Sequence, residues 1–217
     1  MNFLILSSGL GWRIKSYEPR CMISVSGKSL LQRQVDQIRQ VEKSECYLTY
    51  GYKPSIVKKF ATSLGVTPIN NKEYANTNQI ESIRLFLNKV NASGVFILHG
   101  DLLFSTDLKS LDYSSSFVLY NSECCFKNSE VGININDGHV HNLSYGLDTK
   151  WSQMFYVTGK ELDILKNLCM KDNKYFLTFE VINYIIQNGG NFKAVPFVGK
   201  IYELDTVEEI KNADFNC

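Results

Sequence analysis

The sequence has no long apolar run, no block of like charge and no paired-cysteine motif, and each absence removes a class of function. The first apolar run, Phe3 to Leu6, stops at Ser7, Ser8 and Gly9, far short of a signal-peptide core or a membrane span. A cytoplasmic protein without a membrane partner is therefore expected. Lys and Arg number 23 against 22 Asp and Glu, a formal net charge of +1 with no basic stripe. That balance disfavours nucleic acid or an anionic lipid surface as partner and leaves room for a small, locally bound anion. The six cysteines (Cys21, Cys46, Cys124, Cys125, Cys169 and Cys217) form no CxxC pair and no Cys/His spacing. Neither a zinc site nor a disulfide framework is indicated, and they read as reduced thiols, with Cys124 and Cys125 a strand-end pair rather than a redox couple.

With 217 residues, 44% of them hydrophobic and 21% charged, the chain can bury a continuous core, and one domain over residues 1–217 is expected. Short β-rich runs alternate with helical periodicity through the first two thirds. That pattern predicts an α/β fold: a Rossmann-like three-layer α/β/α sandwich with a mostly parallel central sheet. Strands are predicted at Phe3 to Leu6, Cys46 to Tyr50, Val66 to Ile69 and Val95 to Leu98. Helices are predicted within Ser29 to Val41, from Pro54, and along the stripe Ile80, Ile83, Leu87 and Val90. Beyond Asp107 the pattern shifts to a small mixed-sheet extension, with strands at Phe117 to Tyr120, Val131 to Ile135 and Gln153 to Val157 and a turn at Asp137-Gly138. Helices near Lys160 to Cys169 and Phe179 to Gln187 follow, the second ended by Gly189 and Gly190, and then a strand around Phe192 to Val198.

Four features carry candidate chemistry. The loop Leu6-Ser7-Ser8-Gly9-Leu10-Gly11-Trp12-Arg13 lies between the first strand and the first helix, where open α/β sheets meet ligands. Its glycines let backbone N–H groups approach phosphate oxygens, and Arg13 adds a cationic fork. No GxxxxGK[ST] is present, and Ile14 stands where a dinucleotide fingerprint wants a small residue, so NAD binding is disfavoured. Pro19-Arg20 puts a second guanidinium after a restricted turn. Asp101 follows a buried strand, and Asp205 follows another short strand and precedes a helix. Together the two acids offer hard oxygen ligands for Mg²⁺, which is held by one or two protein carboxylates plus substrate phosphates. The competing readings are a structural turn for the loop, a solvated surface for Arg20 and a helix cap for Asp205.

In order along the chain, LSSGLGWR, Pro19-Arg20, Gly27-Lys28, Gly51-Tyr52, Asn76-Thr77-Asn78, Gly100-Asp101 and Glu203-Leu204-Asp205-Thr206 resemble the nucleotidyltransferase superfamily of sugar-phosphate nucleotidylyltransferases. Asn71 to Asn78 followed by Ser82 is similar to the small cytidylyltransferases that activate phosphocholine, aminoethylphosphonate and related head groups for bacterial surface decoration. The resemblance implies that Gly9, Gly11 and Arg13 hold a triphosphate and that Asp101 and Asp205 bind Mg²⁺. It puts Arg20 near the reacting phosphates and the acceptor, where relatives usually have lysine. It implies a nucleotide site drawn from Leu6, Ser8, Gly9, Leu10, Gly11, Arg13, Gly51, Tyr52, Asn78, Ser82 and Gly100, and an acceptor-facing acid at Glu180. Arg13, Arg20, Asp101 and Asp205 would be the catalytic set.

The implied reaction joins CMP from CTP to a small phosphorylated or phosphonate acceptor and releases pyrophosphate, with a homodimer allowed. Trp12 and Arg20 depart from the usual small hydroxyl residue and lysine, and His99 reads as a strand-end residue. The aromatics Tyr145, Trp151, Tyr156, Tyr175 and Phe176 either cage a quaternary ammonium or pack the core. Three other readings stay open: a sugar-1-phosphate nucleotidylyltransferase using UTP or dTTP, a metal-dependent glycosyltransferase, against which the missing DxD counts, and a catalytically degenerate nucleotide-binding homologue.

Overall fold

The computed structural model of the chain describes residues 1–9, 18–122, 130–170, 173–204 and 206–212. In chain order the elements are β1 (Asn2–Ser7), β2 (Ser24–Val25), β3 (Lys28–Ser29), α1 (Leu30–Ile38), β4 (Glu45–Tyr50), α2 (Pro54–Ser63), β5 (Thr67–Asn70) and α3 (Gln79–Lys89). They continue with β6 (Gly94–His99), β7 (Leu102–Ser105), β8 (Phe117–Asn121), β9 (Val131–Asn136), β10 (His139–Tyr145), β11 (Lys150–Thr158), α4 (Gly159–Cys169), α5 (Thr178–Gln187), β12 (Lys193–Pro196), β13 (Lys200–Glu203) and α6 (Val207–Asn212). The chain divides into two compact units, the first made of Met1–Asn76, Leu98–Ser110 and Gly199–Cys217, the second of Thr77–Ile97 and Leu111–Val198.

In the first unit the predicted β-rich runs become a parallel sheet in the order β5-β4-β1. Phe3, Leu4 and Ile5 are wholly buried, as a continuous apolar run in a parallel strand must be. Helix α1 starts where the Ser29 hydroxyl accepts the N–H of Gln32 at 3.1 Å, and it buries Leu30, Leu31, Val35 and Ile38. Pro54 opens α2, where its missing N–H costs nothing. The antiparallel pair β7 and β13 and the small hairpin β2-β3 complete this unit. Neither β7 nor the hairpin is marked by periodicity, because strands of two to four residues are too short to show a repeat.

The second unit is built differently. Its strands run β11-β8-β12-β10-β9, and apart from the parallel pair β8-β12 the recorded pairings are antiparallel. This is the predicted mixed sheet. Asp137 and Gly138, both at positive φ (49° and 74°), form the two-residue turn between β9 and β10 that matches the twist of a hairpin. Gly189, at φ 84°, follows the end of α5. Helix α3 buries Ile80, Ile83 and Phe86, and its stripe turns from Leu87 toward Phe86; the two carboxylate oxygens of buried Glu81 accept from Nε and Nη2 along one edge of the Arg84 guanidinium, at 2.7 and 2.5 Å. The rings of Phe96, Tyr113, Phe117 and Tyr156 pack edge to face or tilted, with centroids 5.2 to 6.4 Å apart. Among the described residues no helix is long and apolar enough to cross a membrane.

Cys21 and Cys169 are both free and buried, and burial pushes their thiols up to about 11 and about 12. The thiolate is the reactive form, so at pH 8 a shift from 9.0 to about 11 cuts the reactive fraction at Cys21 about 100-fold. Iodoacetamide at pH 8 is expected to leave Cys21 and Cys169 of the native chain unmodified over a period that fully alkylates the urea-unfolded chain. Peptide mass mapping reads the result; equal labelling of Cys21 in both states contradicts its burial.

Candidate active site

Parallel pairing of β1 with β4 sets Ser7 opposite Tyr50, so Ser8 and Gly51 leave the sheet together at the carboxyl ends of neighbouring strands. The predicted loop begins there. Ser8 is half-buried, and Gly9 is exposed with nothing within 4 Å of where a side chain would start. Leu10, Gly11, Trp12 and Arg13 lie outside the described residues, as does Asp205. Leu6, buried, contributes its carbonyl, which accepts the N–H of Gly100 at 2.9 Å.

Gly100 and Asp101 make the turn from β6 into β7. A Cβ on Gly100 would stand 2.7 Å from the Cβ of Ser7 and 3.0 Å from the carbonyl oxygen of Leu6, so only glycine permits this approach of the turn to β1. Asp101 is 8% exposed. A carboxylate so nearly removed from water needs a partner, and Arg20 supplies it: Nη1 donates to Oδ2. The other oxygen, Oδ1, is buried and has no hydrogen-bond partner among the described residues. The Asp101 carbonyl accepts the N–H of Leu204, at 3.0 Å.

Three segments far apart in sequence meet here because a small apolar core joins them. Ile23, Val25, Leu30, Leu103 and Leu204 are buried together, with Tyr202 and Ile210 packed against them. Arg20 itself opens a single 3-10 turn, Arg20–Met22, set by Pro19 at φ −58° and closed by the Met22 N–H on the Pro19 carbonyl at 2.8 Å. Cys21 points into the core with no exposure, which leaves the guanidinium of Arg20 to reach the Asp101 turn.

At the end of β4, the ring of Tyr74 lies directly on the backbone of Gly51; a Cβ there would be 2.3 Å from its Cγ. The stretch carrying Tyr74 is folded back by buried Asn71, whose N–H donates to the Tyr50 carbonyl at 2.7 Å and whose Oδ1 accepts the Glu73 N–H at 3.0 Å. Tyr52 is half-buried, with the Lys53 ammonium 5.5 Å from its ring centre.

The remaining predicted residues belong to the second unit. Asn78 caps the start of α3 and is tied to the segment before α5: its N–H donates to the Lys174 carbonyl at 2.9 Å and its side-chain amide to the Tyr175 carbonyl at 2.5 Å. Ser82 is buried on α3. Glu180 already uses one oxygen, accepting the Leu177 N–H at 2.7 Å in the first turn of α5. The aromatics divide: Trp151 and Tyr156 are core, whereas Tyr145 and Tyr175 are 55% and 61% exposed. Tyr145 meets Phe179 edge-on, Phe176 meets Tyr184, and the Lys174 ammonium is 5.8 Å from the Tyr175 ring centre.

Sequence reading missed Gln34. It sits on the buried stripe of α1 four residues from both Leu30 and Ile38, and a polar side chain at a core position of an amphipathic helix is the signal that could have found it. As for a cation, the described residues contain no cluster of three or more His, Cys, Asp or Glu. Mg²⁺ does not need one, since phosphates and water complete its shell, and the buried Oδ1 of Asp101, without a hydrogen-bond partner among the described residues, fits the hard oxygen such an ion prefers.

Residues 3–110 match the family model of the MobA-like NTP transferase domain. Over 99% of its length the chain is 21% identical to choline-phosphate cytidylyltransferase of Streptococcus pneumoniae, covering 97% of that protein. Among solved structures, the CTP:phosphocholine cytidylyltransferase LicC of the same organism superposes with a TM-score of 0.77 at 19% identity, covering 97% of this chain and 96% of that one. HddC from Yersinia pseudotuberculosis gives a TM-score of 0.77 at 20% identity, with 98% and 97% covered. The shared architecture is the Rossmann-like α/β fold of nucleotidyltransferases. By this match the chain carries a MobA-like NTP transferase domain in residues 3–110 and is homologous to choline-phosphate cytidylyltransferase and sugar nucleotidyltransferases.

Proposed function

We propose that the protein transfers a nucleoside monophosphate, CMP from CTP, to a small acceptor bearing a phosphate or phosphonate and releases pyrophosphate. The observation that carries this reading is the buried Asp101 at the end of β6, with one oxygen on Arg20 and the other without a hydrogen-bond partner among the described residues. Likeness to choline-phosphate cytidylyltransferase along almost the whole chain supports cytidine and a small phosphorylated acceptor as the substrates.

An acceptor oxygen forms a bond to the α-phosphorus as the bond from that phosphorus to the bridging oxygen of pyrophosphate breaks. The acceptor oxygen is already anionic near neutral pH, so no protein nucleophile or general base is needed; the work is to align two anions and offset their repulsion. Asp101 and Asp205 would hold Mg²⁺, which would supply Lewis-acid neutralisation of phosphate charge. The Gly9 to Arg13 loop takes the triphosphate. Arg20 brings a planar fork where relatives carry a point charge, and it reaches the phosphates from the position in which it now holds Asp101. By the resemblance to the family, Ser8, Gly51, Tyr52 and Asn78 match the stretches that surround base and ribose, and Ser82 is a further nucleotide-binding candidate. Glu180 keeps one oxygen on the α5 cap and offers the other to the acceptor. A cytoplasmic location suits the use of CTP.

Pyrophosphate release from each NTP, with Mg²⁺ and a panel of phosphocholine, aminoethylphosphonate and sugar 1-phosphates, tests the assignment. Release is expected with CTP and only when an acceptor of the first two kinds is present; turnover of UTP or dTTP with a sugar 1-phosphate would replace it, and nucleotide binding without turnover would refute it. In the same assay Asp101→Asn is expected to lower kcat by about two to three orders of magnitude with an unchanged circular dichroism spectrum. Gly100→Ala, which forces the turn away from Ser7 and Leu6, is expected to lower kcat at least tenfold, in line with the ~10²-fold cost of a 1 Å misplacement. Near-wild-type turnover in either variant contradicts the placement of the reaction at this turn.

A further inference from the structure

Gln34 is 1% exposed on α1, and both hydrogens of its side-chain amide are spent on one short stretch of backbone. Nε2 donates to the His99 carbonyl at 3.0 Å and to the Leu102 carbonyl at 2.8 Å. Those two carbonyls bracket Gly100 and Asp101. The amide orientation is unambiguous, since the reverse would set a third oxygen against the two carbonyls. Oε1 is buried and makes no hydrogen bond among the described residues. A leucine would fill a similar volume; what the glutamine adds is direction.

Besides the Arg20 ion pair on the Asp101 side chain, the described residues give the turn two backbone anchors: the Gly100 N–H on Leu6 and the Asp101 carbonyl on Leu204. Neither restrains the carbonyls on either side of the turn. Gln37, one turn further along α1, accepts the Thr106 N–H at 3.5 Å, a far weaker hold on the same segment.

We infer that Gln34 is a positioning residue for the cation site: by clamping the His99 and Leu102 carbonyls it fixes the direction in which the turn presents the Asp101 carboxylate to a divalent cation. This rests on the reading of Asp101 as a cation ligand. Groups that orient a ligand in this way typically contribute about 10- to 100-fold to metal affinity.

The test uses Mn²⁺ as the probe, with the full chain and CTP, read by water proton relaxation enhancement. Gln34→Met, close in volume but without a donor, is expected to weaken Mn²⁺ binding in the ternary complex by about tenfold or more. CTP binding without metal should stay within about twofold, a difference that a loss of packing alone would not produce. Hydrogen exchange of the amides at Gly100, Asp101 and Leu102, measured without metal, is expected to speed up by about tenfold. Gln34→Asn keeps the amide but is one methylene shorter and reaches at most one carbonyl; it is expected to give an intermediate loss, and it serves if the methionine variant does not fold. Asp101→Asn is the reference. If Asp101→Asn loses Mn²⁺ while the Gln34 variants bind as wild type, the positioning role is overturned. If Asp101→Asn binds Mn²⁺ as wild type, or wild type binds none, the reading of Asp101 itself has failed, and the exchange rates then decide separately whether Gln34 holds the turn.

Discussion

A carboxylate that is 8% exposed, at the end of a buried strand, is the constraint around which the first unit is arranged. Charge in such a place is tolerable only with a partner, and the partner is a guanidinium that arrives from 81 residues earlier in the chain. For the pair to form, Pro19 must set the turn that lifts Arg20, Cys21 must anchor that turn, and Gly100 must let the loop close on β1. The five-residue core of Ile23, Val25, Leu30, Leu103 and Leu204 holds these pieces in place. It is therefore a core whose effect is on charge placement as much as on stability.

The choice of arginine has a geometric consequence. Nη1 is committed to Oδ2 of Asp101, and a planar fork held at one corner keeps its other donors in a fixed plane. A lysine in that position would be a single rotatable point. Among the described residues the buried pair leaves the Oδ1 of Asp101 without a hydrogen-bond partner, and the proposed cation site rests on that oxygen.

The two units carry different groups of candidate residues. Parallel strands in the first end together, so Leu6, Ser8, Gly51 and the Gly100-Asp101 turn emerge as one group. The second unit is a hairpin-rich sheet, and its candidate residues are tied to one another through the segment before α5, where Asn78 binds the Lys174 and Tyr175 carbonyls and Glu180 binds Leu177. Exposed Tyr145 and Tyr175 belong to this unit.

Residue order alone determined the alternation of strand and helix, the helical stretch within Ser29 to Val41, the start of α2 at Pro54, the Asp137-Gly138 hairpin, and the candidates Gly100, Asp101, Arg20 and Gly51. These follow from local rules: periodicity, φ preference, and the chemistry of a side chain at a strand end. Which partner each candidate meets was decided by the tertiary structure. That Arg20 takes Asp101, that Tyr74 covers Gly51, that Gln34 spans the Asp101 turn and that Glu180 caps its own helix depend on contacts between segments many residues apart, or on which oxygen of a group is used. No local pattern records such contacts, because they arise only when apolar faces from remote elements are buried together and the polar groups carried with them must find partners out of water.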